Sequence, residues 1–473
     1  MDTITGKILK LHHWPDGRVI GIAKKIGAEL ADQGLDRETI LARLDAVRQN
    51  PGPFLADGQM AELARECIRI SRPGLPSDES LRDSPLQYPV WGRENIDDGS
   101  VAQMDNAMRL PVSVAGALMP DAHVGYGLPI GGVLATENAV IPYAVGVDIA
   151  CRMRLSLYEV SPHLLGQKKG LFEEALQEQT AFGMGAQWKG SQRADHEVLD
   201  DPAWEATRLL ASLKDNAVRQ LGTSGTGNHF VEWGSFRLYE PLYGLQPGEY
   251  LALLSHSGSR SVGFKIADRY SKLAMEKHPD LDKSIRHLAW LSLDSEEGQE
   301  YWLSMELAGR FASANHNVIH HRVAKAVGLQ EATVVENHHN FAWAEKLPDG
   351  RQVIVHRKGA TPASIGTLGV IPGSMGDAGY VVRGRGVSEA LESASHGAGR
   401  LMSRKAALNS ISRLQRDEYL RERGVTLLGG GMDESPQAYK PIDSIIAAQR
   451  DLVEVIGKFM PRIVRMADEA GEF

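Results

Sequence analysis

Apolar residues recur at two different spacings along this chain, and the change between them falls near residue 86. In the first 85 residues the spacing is helical, so we predict a charged helical extension over residues 1–85. One helix should present an apolar face after a capping Asp36, made up of Ile40, Leu41, Leu44 and Val47. A second helix is predicted over residues 60–70, and the Arg-Pro-Gly-Leu-Pro sequence at 72–76 should end it.

From about residue 101 the apolar segments become short and are separated by glycine-rich polar turns, a pattern typical of strands joined by loops. We predict strands at 131–134, 144–149, 250–254, 353–355 and 381–383. Longer segments with helical spacing predict helices at 165–180, 204–221, 297–326, 399–423 and 441–466. This mixed order predicts an α+β fold in which residues 86–473 form one large domain.

Composition and charge restrict the function classes. The 473 residues carry 52 Lys and Arg against 60 Asp and Glu, a formal net charge of −8. That charge argues against binding nucleic acid through a general basic field, but it allows a local basic pocket. Two cysteines, Cys67 and Cys151, exclude a disulfide scaffold and fit a reducing cytoplasm. Because apolar runs of about 18 residues and a signal-peptide core are both absent, we predict a cytoplasmic protein without a membrane span.

Six segments combine glycine with ionisable side chains beside apolar runs. They are Met-Pro-Asp-Ala-His-Val-Gly at 119–125, Gly-Val-Asp-Ile-Ala-Cys at 146–151, Gly-Thr-Gly-Asn-His-Phe-Val-Glu at 225–232, Ser-His-Ser-Gly-Ser-Arg at 255–260, Glu-Asn-His-His-Asn at 336–340 and Ser-His-Gly-Ala-Gly-Arg at 395–400. Glycine permits tight turns and close approach to a ligand, while His, Cys and Asp are metal-ligand residue types. These segments are the candidates for chemistry.

A metal site is the first interpretation. One carboxylate, one thiolate and three imidazoles are available from Asp148, Cys151, His229, His256 and His339. They could hold one ion, or two if the thiolate bridges. The spacing is neither a zinc finger nor a His-Glu-x-x-His helix, so the fold itself must assemble the site. A lone histidine is more often a core or surface residue than a ligand, but the glycine-rich context of all five favours metal.

A phosphate site is the second interpretation, on weaker signals. The glycine-rich loops at 222–227 and 372–376 could cradle phosphate, yet neither completes a P-loop and ordinary turns fit them equally well. Local positive charge is available at Arg260, 356–358, Arg400 and Arg404. His396 precedes the helix predicted to start near residue 399, where an anion could bind. It could be a base, a ligand or a nucleophile, and the residues alone leave this open.

Taken together, the segments closely resemble the RtcB family of GTP-dependent RNA-splicing ligases. The resemblance runs from about residue 104 to 440 and rests on nine segments in family order: Met-Pro-Asp-Ala-His-Val-Gly-Tyr-Gly, Gly-Val-Asp-Ile-x-Cys, Gly-Asn-His-Phe-x-Glu, Ser-His-Ser-Gly-Ser-Arg, His-His-Asn, His-Arg-Lys-Gly-Ala, Ile-Pro-Gly-Ser-Met-Gly, His-Gly-Ala-Gly-Arg-x-Met-Ser-Arg and Ala-Tyr-Lys. It implies a single-domain α+β fold with a deep central pocket for metal and nucleotide.

The resemblance also implies a mechanism. Two Mn²⁺ ions would be held by the five candidate ligands, with Cys151 bridging. His396 would attack the α-phosphate of GTP, and the resulting guanylyl group would pass to an RNA 3′-phosphate opened from a 2′,3′-cyclic phosphate. A 5′-hydroxyl would then displace GMP. The other histidines in these segments, His123, His338 and His356, are the rival nucleophiles.

Further residues match the family's binding positions. Those that match guanylate-binding positions are Asn228, Glu232, Asn340, Pro372, Gly373, Ser374, Met375, Gly397, Ala398, Gly399 and Tyr439. Those that match RNA-phosphate positions are Arg260, Lys358 and Arg404.

Three departures from the family pattern concern the nucleotide. Gly-Cys-Gly-Met is replaced by Ala-Cys-Arg-Met, so Arg152 follows the candidate thiolate, and Gly379 stands where a serine is common. The family typically ends in Val-Lys-Gly, whose lysine contacts guanine, whereas this sequence ends in Ala-Gly-Glu-Phe. We expect Arg152 and this ending to alter nucleotide preference or rate, and not the metal geometry.

The leading hypothesis is therefore an RNA ligase, and two alternatives remain. One is a Mn-dependent phosphoesterase or cyclic-phosphate hydrolase that acts on RNA ends without guanylylation. The other is a non-catalytic RNA-end-binding protein, which would need neither His396 nor the five candidate ligands.

Overall fold

The computed structural model describes residues 4–55, 57–71 and 81–468. The predicted helix break at 72–76 and the chain ending at 470–473 lie outside these residues. Within them, no helix combines the length and the apolar character that crossing a membrane requires.

The N-terminal region is helical, as predicted. Its helices are α1 (Gly6–Leu11), α2 (Arg18–Asp32), α3 (Arg37–Gln49) and α4 (Ala61–Ser71). Asp36 caps α3 by accepting a hydrogen bond from the Thr39 amide at 3.0 Å. The inward faces form a separate core that includes Leu9, Ile20 and Leu44.

This helical region packs against the rest of the chain around Asp294. Arg18 forms an ion pair with Asp294 at 2.9 Å, and Asp294 is only 5% exposed. Gly21 lies so close that a Cβ atom there would fall 1.3 Å from the Asp294 carbonyl oxygen. Only glycine permits this approach. The contact lies just before the longest helix of the molecule.

The remaining helices surround the sheets. They are α5 (Asp98–Met108), α6 (Pro142–Val145), α7 (Leu164–Gln167), α8 (Lys169–Gln179), α9 (Arg208–Gln220), α10 (Arg260–Lys277), α11 (Glu296–Ala326), α12 (Arg404–Ser410), α13 (Arg413–Glu422) and α14 (Ile442–Ala448). The helices predicted at 165–180, 204–221 and 297–326 are confirmed by α7 with α8, by α9 and by α11.

Sixteen strands are described. They are β1 (Ser113–His123), β2 (Ile130–Thr136), β3 (Ala139–Val140), β4 (Arg152–Tyr158), β5 (Phe230–Leu238), β6 (Gly248–Ser257), β7 (Leu291–Ser292), β8 (Thr333–His338), β9 (Asn340–Lys346), β10 (Gln352–Lys358), β11 (Ala360–Pro362), β12 (Leu368–Ile371), β13 (Gly379–Gly384), β14 (Ser393–Ser395), β15 (Thr426–Leu428) and β16 (Val453–Met466). Four of the five predicted strands are confirmed, by β2, β6, β10 and β13.

The largest sheet has the order β12-β13-β16-β5-β6-β4-β8, with β15 paired to β16. The sheet curls so that its two end strands, β8 and β12, lie close together. Asn337 of β8 accepts a hydrogen bond from the Val370 amide of β12 at 2.8 Å. A second sheet has the order β1-β2-β10-β9. Helix α11 covers one face of the large sheet, where Ile319 packs with Trp233 and Leu253. The mixed α+β fold is thus as predicted.

Three local predictions are wrong. The strand predicted at 144–149 is the short helix α6 and a turn, because Pro142 favours a helix start and Gly146, with φ +105°, ends it. The helix predicted at 399–423 is α12 followed by α13, and it begins only at Arg404. Gly399 adopts φ +72° in the preceding loop, so the helix start predicted next to the His396 segment is a loop.

The helix predicted at 441–466 ends at Ala448, and the rest is the long strand β16. β16 pairs with β13 on one side and with β5 on the other. Its apolar residues recur at intervals that fit both helix and strand, so the pattern alone was ambiguous. Gly457 and Pro461 disfavour a helix there. At Pro461 the ladder with β5 shifts register, as expected for a residue without an amide hydrogen.

Candidate active site and metal centre

Four candidate metal ligands meet at one edge of the large sheet. Cys151 directly precedes β4, His229 directly precedes β5, His256 lies at the end of β6 and His339 directly follows β8. Because neighbouring strands are antiparallel, the starts of β4 and β5 adjoin the ends of β6 and β8. The sheet therefore brings together residues that are separated by up to about 190 positions in sequence.

The donor atoms converge closely. The Cys151 Sγ lies 3.0 Å from His256 Nε2 and 3.3 Å from His229 Nε2. His256 Nε2 lies 3.2 Å from His339 Nε2, and His229 Nε2 lies 3.0 Å from an Asp148 carboxylate oxygen. All five predicted ligands thus form one continuous cluster.

The chemistry of this cluster fits a divalent metal. His256 Nδ1 lies 3.0 Å from the Asn228 carbonyl oxygen, so it carries the proton and its Nε2 lone pair points into the cluster. Burial, with a contribution from His229, lowers the pKa of His256 to about 3, and burial also lowers that of His339. Both imidazoles are therefore neutral, as metal ligands must be. His229 and His339 each have a buried Nδ1 without a hydrogen-bond partner in the described residues.

Two ionisable candidate ligands, Asp148 and Cys151, complete the cluster. Burial raises the pKa of Cys151, and the adjacent Asp148 raises it further, so the thiol needs a cation to ionise. Burial alone would raise the pKa of Asp148, but the hydrogen bond with His229 and the charges of His229 and Arg260 lower it overall. A Cβ at Gly258 would lie 2.2 Å from an Asp148 oxygen, so glycine makes room for this carboxylate.

His396 lies beside the cluster but is held differently. Its ring centroid is 4.9 Å from that of His339. Its Nδ1 lies 2.7 Å from an oxygen of Asp121, and the backbone amides of His396 and Gly397 donate to the same oxygen at 3.2 and 3.3 Å. Asp121 is fully buried, and sequence reasoning gave it no role although it lies within one of the six segments. The pair leaves Nε2 of His396 as the free nitrogen.

The three rival histidines have other contacts. His123 Nδ1 lies 3.1 Å from the Asp121 carbonyl oxygen. His356 accepts from the Ile141 amide at 2.9 Å, and its other nitrogen contacts the Leu134 carbonyl oxygen at 3.1 Å. His338 stacks on Phe341 with centroids 4.7 Å apart.

The loops predicted to bind nucleotide lie next to each other beyond His396. A Cβ at Gly397 would lie 3.3 Å from the carbonyl oxygen of Pro372, so the 372–375 and 397–399 loops are adjacent. The Lys440 amide donates to the Gly399 carbonyl at 3.0 Å, which brings Tyr439 to the same place. The Tyr439 hydroxyl donates to the buried carboxylate of Glu434.

The other residues predicted to bind the nucleotide differ in burial and in hydrogen-bond partners. Asn340 binds backbone, donating to the Asp148 carbonyl at 3.3 Å and accepting from the Gly359 amide at 2.9 Å. Glu232 is buried, and one of its oxygens has no partner in the described residues, so burial raises its pKa. Asn228 is exposed. Ser374 donates to Asp377, while Met375 and Ala398 are buried in apolar clusters.

The three predicted RNA-phosphate residues differ in availability. Arg260 is buried beside the cluster with φ +58°, and it donates to the Thr223 hydroxyl at 3.1 Å and the Gly183 carbonyl at 2.7 Å. Lys358 is buried and donates to the carbonyl oxygens of Tyr126 and Leu128, and burial lowers its pKa to about 7. Arg404 is half-exposed and pairs with Asp433 and Glu434.

Arg152 is adjacent to Cys151 in sequence, but its side chain points to the other face of the sheet. Its guanidinium donates to Glu336 at 3.2 Å, and Arg154 donates to the same carboxylate at 3.3 Å. Successive residues of a strand point to opposite faces, which separates this guanidinium from the thiol.

The fold and the cluster define an α+β protein in which buried side chains of metal-ligand types lie next to a carboxylate-bound histidine. The family model described as tRNA-splicing ligase RtcB matches residues 103–209 and 203–467. The RNA-splicing ligase RtcB of Escherichia coli strain K12 is 34% identical over 368 residues, covering 72% of this chain and 87% of that protein. The tRNA-splicing ligase RtcB of Thermococcus kodakarensis is 32% identical, covering 74% and 86%.

The RNA-splicing ligase RtcB of Mycobacterium tuberculosis strain H37Rv is also 32% identical, and the match covers 76% of this chain and 98% of that protein. This chain belongs to the RtcB family.

Proposed function

We propose that this protein is an RNA ligase that uses GTP and Mn²⁺ to join an RNA 3′-phosphate or 2′,3′-cyclic phosphate end to a 5′-hydroxyl end. Family membership supports the ligase class, since its similar proteins are named RNA-splicing or tRNA-splicing ligases. The observation that carries the chemistry is the pairing of His396 with the buried Asp121, next to a cluster of metal-binding residue types.

His396 acts as the nucleophile in this proposal. The hydrogen bond from its Nδ1 to Asp121 fixes the tautomer with the lone pair on Nε2. That lone pair attacks the α-phosphorus of GTP, and the bond to the bridging oxygen breaks, releasing pyrophosphate. As an imidazolium develops, the Asp121 carboxylate stabilises it.

Joining of the RNA ends then takes three steps. Water first opens a cyclic end to a 3′-phosphate. An oxygen of this phosphate attacks the guanylyl phosphorus, which frees His396 and leaves GMP on the RNA end. The 5′-hydroxyl oxygen then attacks the 3′-phosphorus, releases GMP and loses its proton, which leaves a phosphodiester.

We propose that Asp148, Cys151, His229, His256 and His339 hold two Mn²⁺ ions. Bound there, the metal supplies a Lewis acid that neutralises phosphate charge. Arg260 is suited to contact an RNA phosphate near the cluster, since its buried guanidinium lies close enough to Asp148 to lower the pKa of that carboxyl. The loops at 372–375 and 397–399, together with Asn228, Glu232, Asn340 and Tyr439, would surround the guanylate.

We also propose that residues 1–85 form a helical extension to a ligase domain at 86–473. Because the candidate ligand Cys151 must stay reduced, we propose that the protein acts in the cytoplasm.

The test is incubation of the full chain with Mn²⁺ and GTP labelled at the α-phosphate. We expect covalent label that is acid-labile and stable to base, as a phosphoramidate is. His396→Ala should abolish it, whereas His163→Ala, at an exposed histidine, should keep it. Acid-labile label on His396→Ala would disprove this nucleophile.

The labelling assay is paired with an RNA assay. A phosphoesterase would open a cyclic phosphate with Mn²⁺ alone and form no protein label. A ligase should convert the two RNA ends into one longer RNA only when GTP is present.

A further inference from the structure

An exposed aromatic cluster lies in the second sheet region, outside the residues assigned so far. The rings of Tyr143 and His287 are 4.7 Å apart at 66°, and Tyr126 lies 5.9 Å from His287 and 6.5 Å from Tyr143. Tyr126 is 67% exposed. Tyr143 and His287 are half-buried, so the exposed ring of Tyr126 packs against two less exposed rings.

The loop that carries Tyr126 is fixed although its ring is exposed. The Gln103 side chain holds Gly125 from both sides, accepting from its amide at 3.0 Å and donating to its carbonyl at 2.5 Å. Lys358 donates to the carbonyl oxygens of Tyr126 and Leu128. A ring presented from a fixed backbone loses little conformational freedom on binding, so the cluster is preorganised for a flat ligand.

The cluster is continuous with the proposed active site along two paths. Lys358, which holds the Tyr126 loop, is followed by Gly359, where a Cβ would lie 3.1 Å from the His396 ring. Tyr143 lies in α6, and the loop after α6 leads through the exposed Val147 to Asp148. The loops at 372–375 and 397–399 reach His396 through Gly397, whereas the Tyr126 loop reaches it through Lys358 and Gly359.

Positive charge accompanies the rings. Burial lowers the pKa of His287, and the charges of the exposed Arg286 and of Lys358 lower it further, which places both side chains near this cluster. A neutral imidazole beside the exposed Arg286 guanidinium favours a ligand that combines a flat face with negative charge. Unpaired nucleotides have both, and aromatic side chains bind them by stacking.

We propose that Tyr126, supported by Tyr143 and His287, stacks on an unpaired nucleobase of the RNA next to the end that is being joined. This inference rests on the proposed ligase function and deepens it, because it identifies the substrate as RNA whose end is single-stranded. The base belongs to either the 3′-phosphate strand or the 5′-hydroxyl strand, and binding each strand separately distinguishes them.

The experiment measures binding of short single-stranded RNA to the full chain without GTP. One RNA carries a 3′-phosphate and the other carries a 5′-hydroxyl, and each is also made with an abasic site at the end position. Tyr126→Ala should weaken binding of one RNA about tenfold, in keeping with the loss of one stacked base. Tyr126→Phe should bind normally, because the ring remains.

The abasic RNA sharpens the test. Removing the base should weaken wild-type binding about as much as Tyr126→Ala does, and the two changes together should cost no more than either alone. Tyr243→Ala is the matched control, since Tyr243 is 71% exposed in the turn between β5 and β6. Fully additive losses, or equal losses for Tyr126→Phe, would overturn the proposal.

Guanylylation without RNA separates this inference from the proposed function. We expect Tyr126→Ala to be labelled by GTP as fast as the wild type. Slower labelling with unchanged RNA binding would place guanine on Tyr126 and overturn the inference. An unlabelled wild type would instead contradict the ligase mechanism, while the RNA-binding results would still decide whether Tyr126 stacks on a base.

Discussion

Buried histidines lie on both faces of strands β4 and β6, and the two groups are bonded in opposite ways. On the helix-covered face, His316 Nδ1 and His320 Nε2 each lie 2.7 Å from the Ser255 hydroxyl. The other nitrogen of His316 lies 3.1 Å from the Ser257 carbonyl oxygen, and that of His320 lies 2.6 Å from the Ser156 hydroxyl. Every ring nitrogen there has a partner.

On the opposite face, which carries the Cys151, His256 and His339 cluster, ring nitrogens point at one another. His256, which follows Ser255 in β6, has its Nε2 3.2 Å from His339 Nε2 and 3.0 Å from the Cys151 sulfur. These imidazoles are neutral, so too few protons are available to satisfy the converging lone pairs. Burial therefore does not distinguish a candidate metal ligand from a core histidine. The direction of the ring-nitrogen lone pairs does distinguish them, because in the cluster the lone pairs converge on one another.

Replacing a candidate ligand of the cluster should have the largest effect. We expect Cys151→Ser to fold normally and to lose the bound metal, because a hydroxyl is a much weaker ligand than a thiolate. Elemental analysis of the purified protein measures this, with circular dichroism as the control for folding. Unchanged metal content in the folded variant would remove Cys151 from the ligand set.

His396, the proposed nucleophile, represents a third arrangement, in which Nδ1 is paired with Asp121 and Nε2 has no hydrogen-bond partner among the described residues. Asp121→Asn keeps the size of the side chain but removes the negative charge that would stabilise an imidazolium at His396. We expect guanylylation to slow by about a thousandfold or more. Single-turnover labelling with GTP measures the rate, and metal content should stay the same.

A change on the helix-covered face should affect stability and not metal binding. His320→Leu leaves the buried hydroxyls of Ser156 and Ser255 without this partner, so we expect the free energy of unfolding to fall by about 2 kcal/mol. Urea unfolding measures the loss. A large loss of metal in the folded variant would show that the two faces are not independent.

The smallest effect is expected from Arg152. Its guanidinium lies on the helix-covered face, and Glu336 would keep Arg154 as a partner. We expect Arg152→Met to leave the preference for GTP over ATP within about twofold of the wild type, which is under 0.5 kcal/mol. Labelling rates with both nucleotides provide the comparison. A change of tenfold or more would restore the sequence-based expectation that Arg152 affects nucleotide choice.

Much of this arrangement can be predicted from the sequence because its signals lie within short segments of the chain. Glycine-flanked histidines at strand ends indicated the cluster, and Asp36 indicated the start of α3. Asp121 was not recognised as the partner of His396, since a contact across 275 positions leaves no local signal. Helical spacing wrongly predicts a helix over 453–466, because the strand conformation of these residues depends on pairing with β13 and β5. Where the spacing of apolar residues fits both helix and strand, pairing with neighbouring strands determines the conformation.

The close approach of Gly21 to Asp294 has a thermodynamic consequence. If α2 separated, the buried Asp294 would lose Arg18 and be exposed beside the start of α11. That helix has 31 residues, about 46 Å, and its far half lies beneath the sheet that holds the ligand cluster. The N-terminal helices and the sheet should therefore unfold in one cooperative transition. Metal that binds only the native state would then raise the melting temperature of both regions together.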